Sequence, residues 1–382
     1  MPNRLIIAAA GAGKTYQIIS ESLEAVRAGK KVLVITYTEA NQRELVSRFE
    51  EKEYALRANF VVKGWFSFLL EDFIRPYQTC LFPERIDSIR FNDSNPHRKG
   101  KYAIPGRAES LASGGVNPKH YLSDGATSVH TQFIAKLARK VSDQSENKAI
   151  KRLAEIYDHL YIDEVQDLIG WDYEVIDLVR QLSDLEVICV GDFRQTIYAT
   201  AHATKKPTTS AEKLDKFISM GFEQQPNSCS RRSLQSICDF ADQVHAGEGY
   251  EKTDSLVTQV PDEFNSHQGV FVVKHSDLDS YLEQFAPTVL RWSIPASNFI
   301  KNSNIDKVNF GKAKGLGFDR VLILPTNKIL QYLKKDNKVF KQEKTEKSKN
   351  QLYVAITRAR YSLALLVDDA EASKIGIDIW QG

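Results

Sequence analysis

The chain has 382 residues, 42% of them hydrophobic, with a net charge of +2. That length supports more than one folded unit with a sizeable core, and the near-neutral charge confines any nucleic-acid site to a local groove. With no long apolar run and no N-terminal targeting pattern, a membrane or exported protein is not expected, and a cytoplasmic location is. The first element is the short apolar run Leu5-Ile6-Ile7, predicted as a strand. Ala8-Ala9-Ala10-Gly11-Ala12-Gly13-Lys14-Thr15 follows, and it opens a helical period through Ile18, Ile19 and Leu23. Strand, glycine-rich turn and helix in this order are the setting of a phosphate-binding loop, whose amides and helix dipole attract an anion. Lys14 would then reach the β- and γ-phosphates of ATP, and the Thr15 hydroxyl would hold Mg²⁺.

Residues 75–150 are polar and rich in turns, as in Asn92-Asp93-Ser94-Asn95-Pro96 and Gly114-Gly115-Val116-Asn117-Pro118. Their basic groups, Arg98, Lys99 and Lys101, suit either phosphate contact or a solvated loop. Leu160-Tyr161-Ile162 then predicts a buried strand that ends in Asp163-Glu164. Such a pair lets Asp163 hold Mg²⁺ through water while Glu164 orients or deprotonates an attacking water. A third strand, Val187–Val190, runs into Gly191-Asp192-Phe193-Arg194-Gln195, where Gln195 could reach the γ-phosphate or its water.

Further on, the patterning predicts a helix over 234–244, a strand over 270–275, a helix over 278–285 and a strand near 289–292. Lys334–Lys349 carries seven lysines among acidic and amide residues without apolar period, and reads as a mobile solvated loop. The four cysteines, Cys80, Cys189, Cys229 and Cys238, lack metal-ligand spacing and are expected to be reduced and structural.

Asp163-Glu164-Val165-Gln166-Asp167 and Val190-Gly191-Asp192-Phe193-Arg194-Gln195-Thr196-Ile197-Tyr198 resemble motifs II and III of the UvrD/Rep-like superfamily 1A DNA helicases. Other motifs appear in order. Val34-Ile35-Thr36-Tyr37-Thr38 with Asn41 and Glu44 is similar to motif Ia, and Gly64-Trp65-Phe66-Ser67-Phe68-Leu69-Leu70 to the DNA-contacting motif after it. Arg232–Ile237 resembles motif IV, Gly311–Asp319 motif V, and Tyr353-Val354-Ala355-Ile356-Thr357-Arg358-Ala359-Arg360 motif VI.

The resemblance implies an α/β fold of two RecA-like P-loop domains with parallel sheets, ATP and Mg²⁺ bound between them, and single-stranded DNA as partner. The first domain would comprise 1–74 and 151–215, with a small helical insertion at 75–150. The second would be 216–382, its large accessory domain essentially absent. Ala8 to Thr15 and Gly315 would bind the nucleotide. Thr15 and Asp163 would hold the metal, and Glu164, Gln195, Arg232 and Arg358 would carry hydrolysis. An arginine brought to the γ-phosphate neutralises charge in the transition state. Thr36, Tyr37, Asn41, Trp65 and Phe66 would meet DNA. Phe66 and Phe68 have spacing that also suits a core, whereas Tyr37, between two threonines, suits the DNA side.

Departures from the family pattern touch the base. The chain begins too late for the family's upstream glutamine, Arg231 stands where motif IV has an aromatic, and Gly317 stands where motif V has a glutamate. The nucleotide is therefore expected to be held mainly by triphosphate and Mg²⁺. After Tyr198 the chain continues Ala199-Thr200-Ala201-His202-Ala203, without the family's stacking tryptophan. The resemblance implies an ATPase moving 3′→5′ on single-stranded DNA, with strand separation by this chain alone in doubt. The short build also resembles the helicase-like subunits of anti-phage systems such as Gabija, implying a partner of the OLD nuclease family. Two rivals remain: an ATPase subunit that gates a partner without translocating, and a small-molecule phosphotransferase, against which the paired arginines argue.

Overall fold

The computed structural model describes residues 3–92, 94–123, 125, 127–201, 205–335, 338–341 and 345–382. Asp93, His202, Ala203 and, in the lysine-rich stretch, Asp336, Asn337, Gln342, Glu343 and Lys344 lie outside the described residues. The fold is α/β and divides into two compact units. The first comprises the chain to Ile6, Lys14–Gly191 and Tyr198–Gln225; the second comprises Ile7–Gly13, Asp192–Ile197 and Pro226–Gly382.

The chain begins β1 (Arg4–Ala8), α1 (Lys14–Arg27), β2 (Val32–Thr36), α2 (Glu39–Glu53), β3 (Phe60–Gly64) and α3 (Trp65–Phe68). The insertion follows with β4 (Ser88–Arg90), β5 (Arg98–Lys99), β6 (Tyr102–Ala103), α4 (Pro118–Tyr121), β7 (Ser128–His130), α5 (Ile134–Gln144) and α6 (Lys148–Ile156). Then come β8 (His159–Asp163), α7 (Trp171–Leu182), β9 (Glu186–Gly191), α8 (Ser210–Ser219) and β10 (Glu223–Asn227). The main sheet has the order β10-β1-β9-β8-β2-β3, and β9, β8, β2 and β3 run parallel. All five residues of β2 are buried, as continuous apolar runs are when helices cover both faces of a parallel sheet. On α1 the stripe Ile18, Ile19, Leu23 and Val26 faces the sheet, and Phe49 of α2 stacks on Phe60 with ring centroids 4.0 Å apart.

The insertion is only partly helical. β4 and β7 pair in parallel, β5 and β6 form a hairpin, and side chains satisfy the irregular backbone between them. Asn117 donates to the carbonyls of Gly106 and Ala108 at 2.9 and 2.7 Å. Glu109 accepts from Lys136 at 2.6 Å, Tyr121 at 2.9 Å and Lys140 at 3.3 Å. Burial opposes the charge on Glu109, yet these donors hold its pKa down to about 2. The segment is an organised substructure rather than a solvated loop.

The second unit contains β11 (Cys229–Ser230), α9 (Gln235–Gln243), β12 (Asp254–Ser255), β13 (Gly269–Lys274), α10 (Leu278–Phe285), β14 (Thr288–Arg291) and β15 (Lys307–Asn309). It closes with β16 (Phe318–Ile323), α11 (Asn327–Leu333), α12 (Lys347–Ile356), β17 (Ala359–Val367) and α13 (Asp369–Ala372). Five strands form a parallel sheet in the order β13-β17-β16-β14-β15. The helices and strands expected between 234 and 292 are present within a residue or two. Part of the lysine-rich stretch differs from its reading as a mobile solvated loop. Val339 is buried, Phe340 packs on Tyr332 with centroids 5.1 Å apart, and the stretch ends inside α12. Val339 and Phe340 are two apolar residues among seven lysines, and averaging over the window hides them.

Candidate nucleotide site

In the first unit, Lys14 and Thr15 open α1, and no acidic residue occupies its first turn. β2 and β8 are parallel neighbours with Ile35 opposite Ile162, so Thr36 and Asp163 end adjacent strands at one sheet edge. The Thr36 hydroxyl lies 3.5 Å from the Asp163 carboxylate and accepts from the Asn41 amide at 3.4 Å. Glu164 takes a left-handed backbone with φ +56°, which is uncommon for a residue with a side chain and turns it sharply out of the strand. The Lys14 ammonium is 3.6 Å from its carboxylate, and the Gln166 side-chain amide also donates to it. The buried Lys213 ammonium holds the Gln166 carbonyl at 2.6 Å. At Gly191 a Cβ would fall 2.5 Å from Gln166 Oε1 and 2.9 Å from Val165 Cγ2, so the turn after β8 and the end of β9 meet only through glycine.

Two of the residues assigned to DNA are placed elsewhere. Thr36 is 1% exposed, with its hydroxyl directed at Asp163. Trp65 is 2% exposed, and its indole N–H donates to the buried Asp172 at 2.8 Å. Burial pushes the Asp172 carboxyl above its usual pKa, against hydrogen bonds from Thr200, the Ile169 amide and Trp65. Trp65 is a core residue with a satisfied polar tip. Asn41 lies in the first turn of α2, which Thr38 caps, the Thr38 hydroxyl accepting from the Asn41 backbone N–H at 3.2 Å. Tyr37 is half-buried and meets Phe66 edge-on at 5.8 Å. Phe66 in turn meets the exposed Phe91 edge-on at 5.7 Å.

In the second unit, the loop Ile7–Gly13 meets the segment around motif IV. Gly11 (φ +79°) and Gly13 (φ +81°) are both left-handed, the alternation that turns successive amides toward an anion. A Cβ on Gly11 would strike Ser230 Oγ at 2.7 Å and Arg232 Cβ at 2.8 Å. The Arg231 amide donates to the Gly11 carbonyl at 2.9 Å. Ala10 donates its amide to the Tyr353 hydroxyl at 3.4 Å, and that hydroxyl donates to Asp192 Oδ2 at 3.2 Å. Burial raises the Tyr353 phenol well above its usual pKa, so it stays protonated and can donate. Gln195 donates to the same Asp192 oxygen at 2.8 Å, and its own carbonyl accepts from Arg358 Nη2 at 3.3 Å.

Arg358 is 1% exposed. It also donates to the carbonyls of Val354 at 2.9 Å, Leu316 at 3.0 Å and Ala313 at 3.5 Å, and to the Thr357 hydroxyl at 3.1 Å. The guanidinium thus ties the motif V turn to Gln195. Arg232 donates to the Thr357 carbonyl at 3.3 Å, and Gly317 backs onto it, with a Cβ position 3.4 Å from Arg232 Nε. Gly315 (φ +86°) is exposed, with nothing within 4 Å of its Cβ position.

The residues missed from the sequence are the ones joining these parts. Asp192 and Tyr353 both stand inside recognised motifs, and their polarity in apolar runs was the available signal. Arg194 is buried between Asp192 (3.3 Å) and Asp242 (2.9 Å), over the rings of Tyr353 at 4.7 Å and Tyr250 at 5.2 Å. Nothing in the sequence pairs it with Asp242.

Among the described residues, no three His, Cys, Asp or Glu gather to hold a metal. Thr15 and Asp163 offer one hydroxyl and one carboxylate, a donor set that suits Mg²⁺ completed by phosphate and water. Parallel sheets with a glycine-rich turn leading into α1 define a P-loop nucleotide-binding protein. The chain belongs to the AAA domain family, which matches residues 1–201. No curated protein matches it. Among solved structures it is similar to the arterivirus nonstructural protein 10 helicase in complex with DNA, at 15% identity and a TM-score of 0.43, covering 98% of this chain. The chain spans 62% of the length of that protein. Among the described residues, no helix is long and apolar enough to cross a membrane.

Proposed function

We propose that the protein is an ATP hydrolase of UvrD/Rep-like type, stimulated by single-stranded DNA and coupling turnover to 3′→5′ movement along it. The observation that carries hydrolysis is the Lys14 ammonium 3.6 Å from the Glu164 carboxylate. A phosphate-binding cation thereby stands beside a base suited to the attacking water. In this reading the loop amides and Lys14 bind the triphosphate, Gln195 positions the water, and Glu164 takes its proton. Arg232 and Arg358 neutralise the charge that develops on the transferred phosphoryl group. Thr15 and Asp163 would hold Mg²⁺, which would supply further charge neutralisation. Gly315 adds a backbone approach to the nucleotide. DNA engages Tyr37, Asn41 and Phe66. In the same reading, residues 1–74 and 151–215 form the first RecA-like domain, 75–150 its insertion and 216–382 the second.

A second reading, an ATPase subunit that gates a partner nuclease, is favoured by the exposed apolar residues Trp292, Ile294 and Phe299, which are 47–64% accessible. A place in bacterial defence beside an OLD-family nuclease rests on the resemblance alone. The deciding experiment is steady-state ATP hydrolysis by the full chain with and without single-stranded DNA, with Glu164→Gln as the blank. Stimulation of about tenfold or more, lost in the variant, supports the motor. Hydrolysis indifferent to DNA, or absent until a protein partner is added, overturns it in favour of the gating subunit, and absence of hydrolysis with and without a partner overturns both.

A further inference from the structure

Phe91 is 73% exposed, an unusual position for a phenylalanine on a fixed backbone. The backbone is fixed on both sides. Thr131 donates its amide to the Arg90 carbonyl at 3.0 Å, the Asn92 amide donates to the Thr131 hydroxyl at 3.3 Å, and the Asn92 side chain meets His130 Nδ1 at 3.1 Å. The ring therefore projects from a rigid seat at the end of β4, with one side against Phe66 and the rest bare.

A second exposed ring lies close in sequence. Tyr102, on the hairpin of β5 and β6, is 81% exposed. Both rings directly follow an exposed basic residue, Arg90 before Phe91 and Lys101 before Tyr102. From Ser88 to Ile104 the chain holds Arg90, Arg98, Lys99 and Lys101 against Asp93 as its single acidic residue. The hairpin is itself anchored, since Ile104 donates to the His97 carbonyl at 2.8 Å and His97 Nε2 meets the His120 carbonyl at 2.8 Å. Bare aromatic faces among cations on a preorganised scaffold fit a polyanion whose units carry π-faces, which is unpaired nucleic acid.

We infer that the insertion stacks on the bases of single-stranded nucleic acid through Phe91, with the exposed Tyr102 of the β5–β6 hairpin as a second ring. Phe91 is the outer rung of a platform that continues inward through Phe66 to Tyr37. The inference rests on the nucleic-acid reading above and adds a contact from the insertion. Stacking on every base alike gives binding without sequence preference, and Arg98, Lys99 and Lys101 add salt dependence.

The test is fluorescence anisotropy of a labelled oligothymidine with the full chain. Phe91→Ala should weaken binding roughly 5- to 150-fold. Phe91→Trp should bind like the native protein, and its added tryptophan emission should be quenched on titration with oligothymidine. Unchanged affinity in Phe91→Ala, or unquenched emission from a Phe91→Trp variant that binds, overturns the stacking role while leaving the nucleic-acid reading intact. A native chain that binds no oligothymidine overturns both, so the two failures are distinguishable. Because the ring is exposed, the alanine variant should keep the native melting temperature, and a large fall would transfer the effect to folding and count against the inference.

Discussion

The Tyr353 hydroxyl stands 3.2 Å from the Asp192 carboxylate and donates to it. The same oxygen takes the Ala10 amide proton at 3.4 Å. One phenol therefore links the phosphate-loop backbone to the carboxylate that also anchors Gln195. Tyr353→Phe removes one oxygen and leaves a buried amide and a buried carboxylate each short of a partner. The expected destabilisation is about 1–3 kcal/mol by urea unfolding. Turnover should fall with little change in KM, because Gln195 loses its orientation while the triphosphate contacts remain. A native kcat in this variant would show that Asp192 holds Gln195 without help.

Arg358→Lys keeps the charge and discards the fork. Lysine cannot serve Val354, Leu316, Thr357 and Gln195 together, so stability should drop by about 1–3 kcal/mol. If the guanidinium also meets the phosphoryl group, kcat should fall by roughly 10³-fold or more. Measuring both separates the roles. A loss of stability with native kcat would make Arg358 purely structural.

Gly11 and Gly315 share a left-handed backbone and differ in surroundings. Gly315→Ala should therefore show backbone strain alone, on the order of 1 kcal/mol. Gly11→Ala adds overlap with Ser230 and Arg232 and should lose about 2 kcal/mol or more. Chemical denaturation of the two variants side by side gives the comparison. Equal losses would mean that the segment around Ser230 yields freely.

Acid sensitivity has an identifiable contributor in His267. It is buried, stacked on Phe271 and Phe285, and bonded to the Tyr281 hydroxyl at 2.9 Å. Burial, with Arg320 adding to it, lowers its pKa from 6.5 to about 4. Between those values the unfolded chain takes up a proton that the folded chain refuses, so stability falls as pH drops through that window and is retained above 6.5. The loss is at most about 3 kcal/mol. His267→Gln keeps a partner for Tyr281 and should flatten this part of the pH profile. An unchanged slope between pH 6.5 and 4 would assign it to other groups.

The elements most legible in the sequence were those with a strict local signature. Parallel strands buried on both faces read as apolar runs, and the phosphate loop read through glycine, lysine and threonine in fixed order. Asp163-Glu164 was visible because a carboxylate pair after an apolar run is rarely accidental beside such a loop. What stayed hidden depends on partners distant in the chain. Trp65 reads equally as a DNA contact or a core residue until Asp172, which is 107 positions away, accepts its N–H. The insertion reads as helical and rich in turns, and its strands are not visible, because its order comes from side chains such as Asn117 and Glu109 bonding irregular backbone, which leaves no periodicity.

The division of the chain into compact units has a consequence for how it can be taken apart. The second unit's parallel sheet and α9–α13 all lie after Pro226, yet Ala10, Asp192 and Gln195 belong to the same unit from far upstream. A nick after Gln225 would yield a C-terminal piece in which Tyr353 and Arg358 face no partner from either upstream stretch, and Asn350 loses the Thr196 carbonyl it holds at 2.9 Å. The units are therefore woven rather than strung. A graft of the second unit onto another scaffold must bring three separate stretches of chain, and synthesis must reach the last helices before the first loop acquires its final contacts.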